Sequence, residues 1–464
     1  MNHEKKLIKN TSIYAIGNIG SKILAYVAVL IYSHYIEPES LGLYDVVLTS
    51  FSFIVPIVTM EIHEALYRFV VDSPKEDHPV FIATSIKYLL LATSITEIAF
   101  CIFGGNRLKD YVAGIVLYSA SYVVYSCMQM VVRGESKTAL YSAIGVINAF
   151  ITLAFEMIGI MVLGKGINAL FFAMGIANTV CVAIIIFKMD TSFKMIRTRA
   201  DINVLKQMLK FSVPLVPTTI SWWIVNFCDR YIILLKLGRE YNGIYALACR
   251  FPIILNTIAN VFYMAWQESA IKLYKSSERD QFYSNVFNRF NILLTSCCAV
   301  SIPAIKLIIR LFVDKRYATS WVYVGPLMMG AVFMALSSFL GVGYMISNDT
   351  IRSTGTSIVA AITNVLINVL LVERIGLQAA AISTLIAYAV LFVLRAFDTK
   401  RYFMIKYHRV EMAAFIILCL VVSVLVFWID DNILLFLMMV VCGIIAICSN
   451  GWVFKYIKER TNDR

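Results

Sequence analysis

Residues 354–394 read TGTSIVAAITNVLINVLLVERIGLQAAAISTLIAYAVLFVL, two apolar runs separated by Glu373-Arg374-Ile375-Gly376. Neither run alternates polar and apolar residues, so neither is a half-buried strand. Each approaches the roughly 20 residues that a helix rising about 1.5 Å per residue needs to cross about 30 Å of hydrocarbon. The link gathers charge and a glycine, the marks of a turn at a membrane surface.

The same pattern fills the chain. Of 464 residues, 60% are apolar and 15% charged, far from the roughly 25% charge of soluble domains, so lipid is the solvent. Spans are predicted near 10–34, 42–68, 80–104, 111–132, 140–163, 167–187, 211–235, 243–270, 286–309, 323–347, 354–372, 377–394, 413–428 and 433–454. Continuous apolar runs of this length are helices, because backbone groups in lipid must pair within their own segment, and they lack the ten-residue alternation of a barrel strand. Lys5, Lys6 and Lys9 precede a run that Lys22 interrupts, so the N-terminal segment is expected to stay as a first span and not to be cleaved as a signal peptide. The ten cysteines all fall in predicted spans, without disulfide or metal-ligand spacing.

Charge gives the orientation. Loops on the side of the N-terminus carry 25 Lys and Arg residues and loops on the opposite side carry 9. Cytoplasmic loops hold such an excess, which predicts both termini in the cytoplasm. The net charge of +12 is thus a topology signal with some attraction to anionic lipid headgroups. No basic soluble domain exists to bind nucleic acid.

Three short matches recur in order. Leu41-Gly42-Leu43-Tyr44 pairs with Asn242-Gly243-Ile244-Tyr245, Tyr111-Val112-Ala113-Gly114 with Tyr323-Val324-Gly325-Pro326, and Gly166-Ile167-Asn168-Ala169-Leu170 with Gly376-Leu377-Gln378-Ala379-Ala380. Each offset spans six helices, an even number, so the halves form a parallel repeat, as in transporters with a substrate site at the repeat interface. The expected fold is an all-α membrane protein of about 14 helices, with two six-helix bundles (1–187 and 211–397), a basic cytoplasmic hinge loop (188–210), and a terminal helix pair with tail (398–464).

One block is more specific. Phe211-Ser-Val-Pro214-Leu-Val-Pro217 runs through Ser221-Trp222-Trp223 and Asn226 to Asp229-Arg230, then to Gly238 and Gly243-Ile-Tyr245-Ala-Leu-Ala-Cys-Arg250. This block resembles the second-half signature of the Wzx-type polysaccharide flippases, in the MOP superfamily with its MATE-like fold. Glu64-Ala-Leu-Tyr-Arg68-Phe69, Arg133-Gly134 to Tyr141, and Ser347 to Arg352 with the Asn364/Asn368 helix are similar to it too. One departure is Ile62-His63, where the family pattern has a glycine that bends the end of span two. The resemblance implies export of undecaprenyl-diphosphate-linked oligosaccharide across the bacterial inner membrane, for capsule, O-antigen or a related envelope polymer. It also implies polymerase and other polysaccharide-assembly proteins as partners.

Moving a diphosphate and sugars through a low-dielectric slab needs polar groups that face a cavity. Lys22, Arg68, Lys87, Arg230, Arg250, Arg289 and Lys306 lie inside predicted spans, where a charge costs about 2.5 kcal/mol or more. Arg68, Lys87, Arg230, Arg289 and Lys306 are near span ends and can snorkel. Lys22 is near the middle of span one, on a stripe with Tyr14, Asn18 and Tyr26, four residues apart. Its reading stays open between a phosphate counter-charge and an ion pair with Glu97 or Glu156. Arg250 starts a second stripe with Thr257, Asn260, Met264 and Gln267. The predicted cavity residues are Lys22, Asn18, Tyr26, Arg250, Asn226 and Asn260. Asp229, Arg230, Glu97 and Glu156 are structural or ion-coupling candidates, with Asp229 expected to hold Arg230 or Arg250. Trp222 and Trp223 are read as interfacial anchors or sugar-stacking rings.

Pro214, Pro217 and Pro252, with Pro56, are candidate hinges for alternating access. No phosphate-binding loop or ATPase domain is present, so no cofactor is expected, with H⁺ or Na⁺ as the possible coupling ion. The main alternative is a MATE-like cation-coupled multidrug exporter. A polysaccharide-assembly enzyme is a further alternative, but the five histidines lie at span ends or in loops without a catalytic constellation, and no large external loop exists, so the expectation is a transporter and not an enzyme.

Overall fold

The computed structural model describes residues 20–103, 106–347 and 349–451. Among them there is no strand, and the chain divides into two compact units, 1–224 and 225–464.

The first unit contains α1 (Gly20–Tyr32), α2 (Pro38–Thr59), α3 (Ile62–Asp72), α4 (His78–Phe103) and α5 (Val112–Gly134). It continues with α6 (Thr138–Met157), α7 (Ile167–Lys188), α8 (Asp190–Met195) and α9 (Ile202–Ser212). α3 shows how its core forms. Ile62, Ala65, Leu66 and Val70 recur on one helical stripe and are buried against Cys127, Met128 and Val131 of α5, Ile185 of α7 and Met208 of α9. α5 and α7 approach closely because Gly175 faces Leu117: a Cβ there would stand 2.7 Å from Leu117 Cγ. Small residues at such contacts are how helices pack in lipid.

The segment 188–210 is not an open loop. It folds as α8 and α9 and is tied to α4, with Lys87 Nζ donating to the Thr198 carbonyl at 3.2 Å and the Asp201 amide donating to Thr84 Oγ1 at 3.0 Å. The Asp201 carboxylate caps α9, accepting from the Asn203 amide at 2.7 Å.

α10 (Val216–Lys236) contains the boundary between the units. The second unit contains α11 (Arg239–Ala248), α12 (Pro252–Leu273), α13 (Arg279–Phe312), α14 (Val324–Ile346), α15 (Thr350–Ile375) and α16 (Leu377–Asp398). α14 packs against α16, and the terminal pair, α17 (Arg409–Trp428) and α18 (Asn432–Ser449), packs along α13. α13 has 34 residues, about 51 Å at 1.5 Å per residue, so it exceeds the hydrocarbon thickness.

Among the described residues, eleven helices are long and apolar enough to span a membrane, and the bent pair α11–α12 makes a twelfth. The short α1 and α10, whose apolar run is diluted by Asn226, Asp229 and Arg230, occupy the predicted first and seventh spans. The expected total of about fourteen is reached.

The repeat is visible in atomic detail. Gly166 and Gly376, which cap α7 and α16, share a conformation (φ 54°, ψ −139° and φ 59°, ψ −139°) that is essentially open only to glycine. Two residues on, Asn168 Nδ2 donates to the Asp110 carbonyl at 2.8 Å and Gln378 Nε2 to the Val322 carbonyl at 3.4 Å. Asp110 and Val322 each stand one residue before the matched Tyr111 and Tyr323.

Two predicted spans are not single helices. Span two breaks at Met60 and Glu61, two consecutive non-glycine residues in the left-handed region (φ 49° and 54°). The bend is therefore made without the glycine that Ile62 and His63 replace. Span eight breaks between α11 and α12 by 42°, where Pro252 takes the first position of the new helix and withholds no amide that the helix needs. Pro214 lies in a short 3₁₀ turn and Pro217 in the first turn of α10, so both mark its start, whereas Pro56 sits within a continuous α2.

Lys306 and Arg395 correct the charge inventory. Lys306, expected to snorkel, is 1% exposed. Its Nζ donates to the carbonyls of Val426 (2.6 Å) and Ile429 (2.8 Å), lies 3.5 Å from Asp430 Oδ1 and stands over the Trp321 ring. It satisfies the last carbonyls of α17, where a cation also complements the helix dipole. Arg395, expected in a loop, is buried on α16 and donates to the Ser337 carbonyl (3.0 Å) and Ser357 Oγ (3.2 Å), joining α14, α15 and α16.

Candidate functional site

A dense polar cluster lies within the second unit, around Asp229 of α10. Asp229 is 3% exposed, and a carboxylate so placed persists only if donors surround it. Three neutral groups do so: Asn368 Nδ2 of α15 at 2.9 Å, Thr384 Oγ1 of α16 at 2.9 Å and Tyr245 OH of α11 at 3.3 Å. One helix turn away, Asn226 Oδ1 accepts from Tyr388 OH at 2.8 Å. Asn364 Nδ2 donates to Thr384 Oγ1 at 3.3 Å. The guanidinium of Arg230 lies over the rings of Tyr245 (5.4 Å) and Phe227 (5.7 Å). The cluster thus joins four helices through one carboxylate. Sequence reasoning found Asp229, Arg230 and Asn226 but missed Asn368, Thr384, Tyr245 and Tyr388 as their partners.

The other predicted residues are more dispersed. Lys22 is exposed and Tyr26 half-buried on α1, and Asn18 lies outside the described residues, as does Tyr14. Arg250 is half-buried in the break between α11 and α12, and Asn260 is exposed on α12. Glu156 is buried on α6. Trp223 donates Nε1 to the Thr49 carbonyl and to Ser52 Oγ, both at 3.0 Å, and its ring tilts against Phe53. It ties the part of α10 that belongs to the first unit to α2.

Two cavities flank α2 within the first unit. One, of about 190 Å³, is a largely apolar slot between α2, α4 and α5, where Glu97 accepts from Ser119 Oγ at 2.5 Å. The other, of about 580 Å³, lies between α2, α3, α5 and the start of α10. Glu61, His63 and Glu64 line it beside Tyr118 and Tyr122. His63 Nε2 is 3.3 Å from Glu61 Oε2 and 3.8 Å from Glu64 Oε1. Phe51 and Val55 line both cavities. The break at Met60–Glu61 gathers these groups, and sequence reasoning did not foresee it. Among the described residues no cluster of His, Cys, Asp and Glu is arranged to hold a metal ion.

The sequence model of a family described as "Polysaccharide biosynthesis protein" matches residues 7–267, more than half of the chain. The chain belongs to this family. No curated protein matches it in sequence. Among solved structures, the fold is similar to lipid II flippase MurJ in an inward closed conformation, with TM-score 0.71 at 13% identity over 96% of this chain and 99% of that one. It is also similar to an inward-facing multidrug resistance MATE family transporter of the MOP superfamily, with TM-score 0.62 at 13% identity over 87% and 95%. A Vibrio cholerae MATE transporter gives TM-score 0.58 at 10% identity over 86% and 98%. The family match agrees with the polysaccharide side of the resemblance drawn from residues 211–250, and the solved structures show a fold shared with a lipid II flippase and with MATE transporters.

Proposed function

We propose that this family member is a flippase that moves undecaprenyl-diphosphate-linked oligosaccharide across the bacterial inner membrane by alternating access, without catalysing a covalent step. The observation that carries this reading is the pairing of a polysaccharide biosynthesis family match over residues 7–267 with a fold shared along 96% of the chain with a lipid II flippase. Both termini are assigned to the cytoplasm by the Lys/Arg excess. Its repeat units would serve capsule, O-antigen or a related polymer, and polymerase and other assembly proteins would receive them.

Lys22 and Arg250 are assigned to the diphosphate, with Asn18, Tyr26, Asn226 and Asn260 as polar wall. A lysine or arginine in a wet intramembrane cavity is a natural phosphate counter-charge. Coupling to H⁺ or Na⁺ is assigned to an acid within the spans, Asp229, Glu97 or Glu156. Pro214, Pro217 and Pro252 are proposed to absorb bending, and α8–α9 to act as the hinge between bundles.

The test is deletion of the gene in its host. Lipid-linked repeat units are expected to accumulate in the inner leaflet while polymer is lost. Lys22→Ala and Arg250→Ala are expected to reduce polymer yield with the protein still inserted; normal yield from both would remove them from the phosphate role. The likeness to MATE transporters supports the rival exporter reading. A change in drug sensitivity with polymer unaffected would decide for it.

A further inference from the structure

The larger cavity of the first unit carries a charge of its own, which says what it can hold. Its volume of about 580 Å³ is within the range of about 300–1,000 Å³ typical of sites for small ligands. Its walls combine three kinds of group. Phe51, Tyr118 and Tyr122 present aromatic surface, packed together with centroids 4.9 and 5.4 Å apart from Phe51. Ser52 and Thr219 supply hydroxyls. The ionisable groups, apart from the tyrosines, are Glu61, His63 and Glu64, and no Lys or Arg is among the described lining residues.

The cavity is built and not incidental. Glu61 is 4% exposed although its backbone is left-handed, and its carboxylate has in His63 Nε2, at 3.3 Å, the kind of partner a buried carboxylate needs. The imidazole of His63 stands between Glu61 and Glu64, so even a protonated His63 leaves the site with a formal charge of −1. Aromatic faces stack on the C–H faces of sugar rings, and carboxylates and hydroxyls accept and donate to sugar hydroxyls. A diphosphate or a uronate placed there would meet two carboxylates, with no Lys or Arg among the described lining residues to offset them.

We propose that this cavity is a saccharide subsite that takes neutral or amino-bearing sugar residues of the lipid-linked substrate and rejects anionic ones. The inference rests on the flippase reading and deepens it: the sugar is held on α2, α3 and α5 by acidic and aromatic walls, apart from the groups assigned to the diphosphate. Glu61 and Glu64 set the selectivity, and Tyr118 and Tyr122 supply the stacking surface.

The experiment measures binding to the full-length protein in detergent with short-chain prenyl diphosphates, bearing either no sugar, a neutral hexose disaccharide, or the corresponding hexuronate disaccharide. Repulsion between like charges a few ångströms apart in a partly wet site predicts that the neutral glycolipid binds about tenfold tighter than the hexuronate. Glu64→Gln, at an exposed carboxylate outside the left-handed pair, is expected to narrow that ratio to about threefold, and Glu61→Gln/Glu64→Gln to abolish it. Thr219→Trp, which fills the cavity, is expected to weaken both glycolipids and spare the sugar-free diphosphate. Size-exclusion profiles show which variants are folded; should the Glu61 variant fail, Glu64→Gln and Thr219→Trp decide. Equal binding of the two glycolipids by the unaltered protein, or a ratio that Glu64→Gln leaves unchanged, overturns the subsite alone. Binding of lipophilic cations with none of the prenyl diphosphates overturns the flippase reading with it.

Discussion

Asp229 shows what one residue can hold together. Its two oxygens gather Asn368, Thr384 and Tyr245 from three other helices. Asp229→Ala removes the acceptor of the Asn368 amide and the Tyr245 hydroxyl, at about 1–3 kcal/mol for each group that finds no substitute, while Thr384 Oγ1 can still donate to the Ala380 carbonyl at 2.9 Å. A fall in Tm of the detergent-solubilised protein of several degrees is expected, with Asp229→Asn milder because one oxygen still accepts. Outside the spans, Asp349 caps α15 and its carboxyl is held below the usual carboxylate range, first by the Tyr402 hydroxyl at 2.8 Å, then by the Arg352 amide and guanidinium. A carboxyl depressed in the folded state contributes stability above its unfolded pKa of about 3.9, and that contribution is lost as pH falls through the folded value. Tyr402→Phe is therefore expected to lower Tm at pH 7 and to match the unaltered protein under acid conditions. A Tm difference that persists at low pH would show that the hydroxyl acts by packing alone.

At the scale of elements, turns and breaks carry the information. Gly166→Ala and Gly376→Ala place a Cβ in a conformation that costs about 1–3 kcal/mol, so each should reduce Tm, whereas Gly145→Ala, in open space within α6, should not. The break of span two predicts the reverse. Met60→Gly relieves left-handed strain and is expected to keep or raise Tm, while Met60→Val adds a β-branched residue and lowers it. The glycine turns were legible because the repeat displays them twice. The break was not, because Met60 and Glu61 are ordinary helix formers and tertiary packing of the α3 stripe, from Ile62 onward, imposes the bend. Proline was a poor guide: Pro252 marks a real bend, but Pro56 lies in an unbroken helix.

For the whole molecule, apolar run length gave the number of spans and the short matches gave the repeat, since both follow from bilayer thickness and local turn chemistry. Partners far apart in sequence were beyond reach. The carboxylate of Asp229 meets residues 139 and 155 positions away, and Lys306 meets carbonyls 120 and 123 positions away, which no periodicity announces. Orientation is the remaining prediction at this scale. In a cysteine-free background, single cysteines at Lys75 and Lys400 are expected to be shielded from an impermeant thiol reagent in intact cells, and those at Lys165 and Arg374 to react. The opposite pattern would invert the topology.

The placement of Lys306 also constrains how the protein is made. α13 enters the membrane with a lysine whose carbonyl acceptors, Val426 and Ile429, have not yet been translated. At about 5–20 residues per second the ribosome needs roughly 6–24 s to supply them. During that interval the lysine must stay hydrated or be sheltered by the insertion machinery. The last two helices thus complete the second unit instead of decorating it, and a nascent chain stopped before residue 426 would be a substrate for quality control.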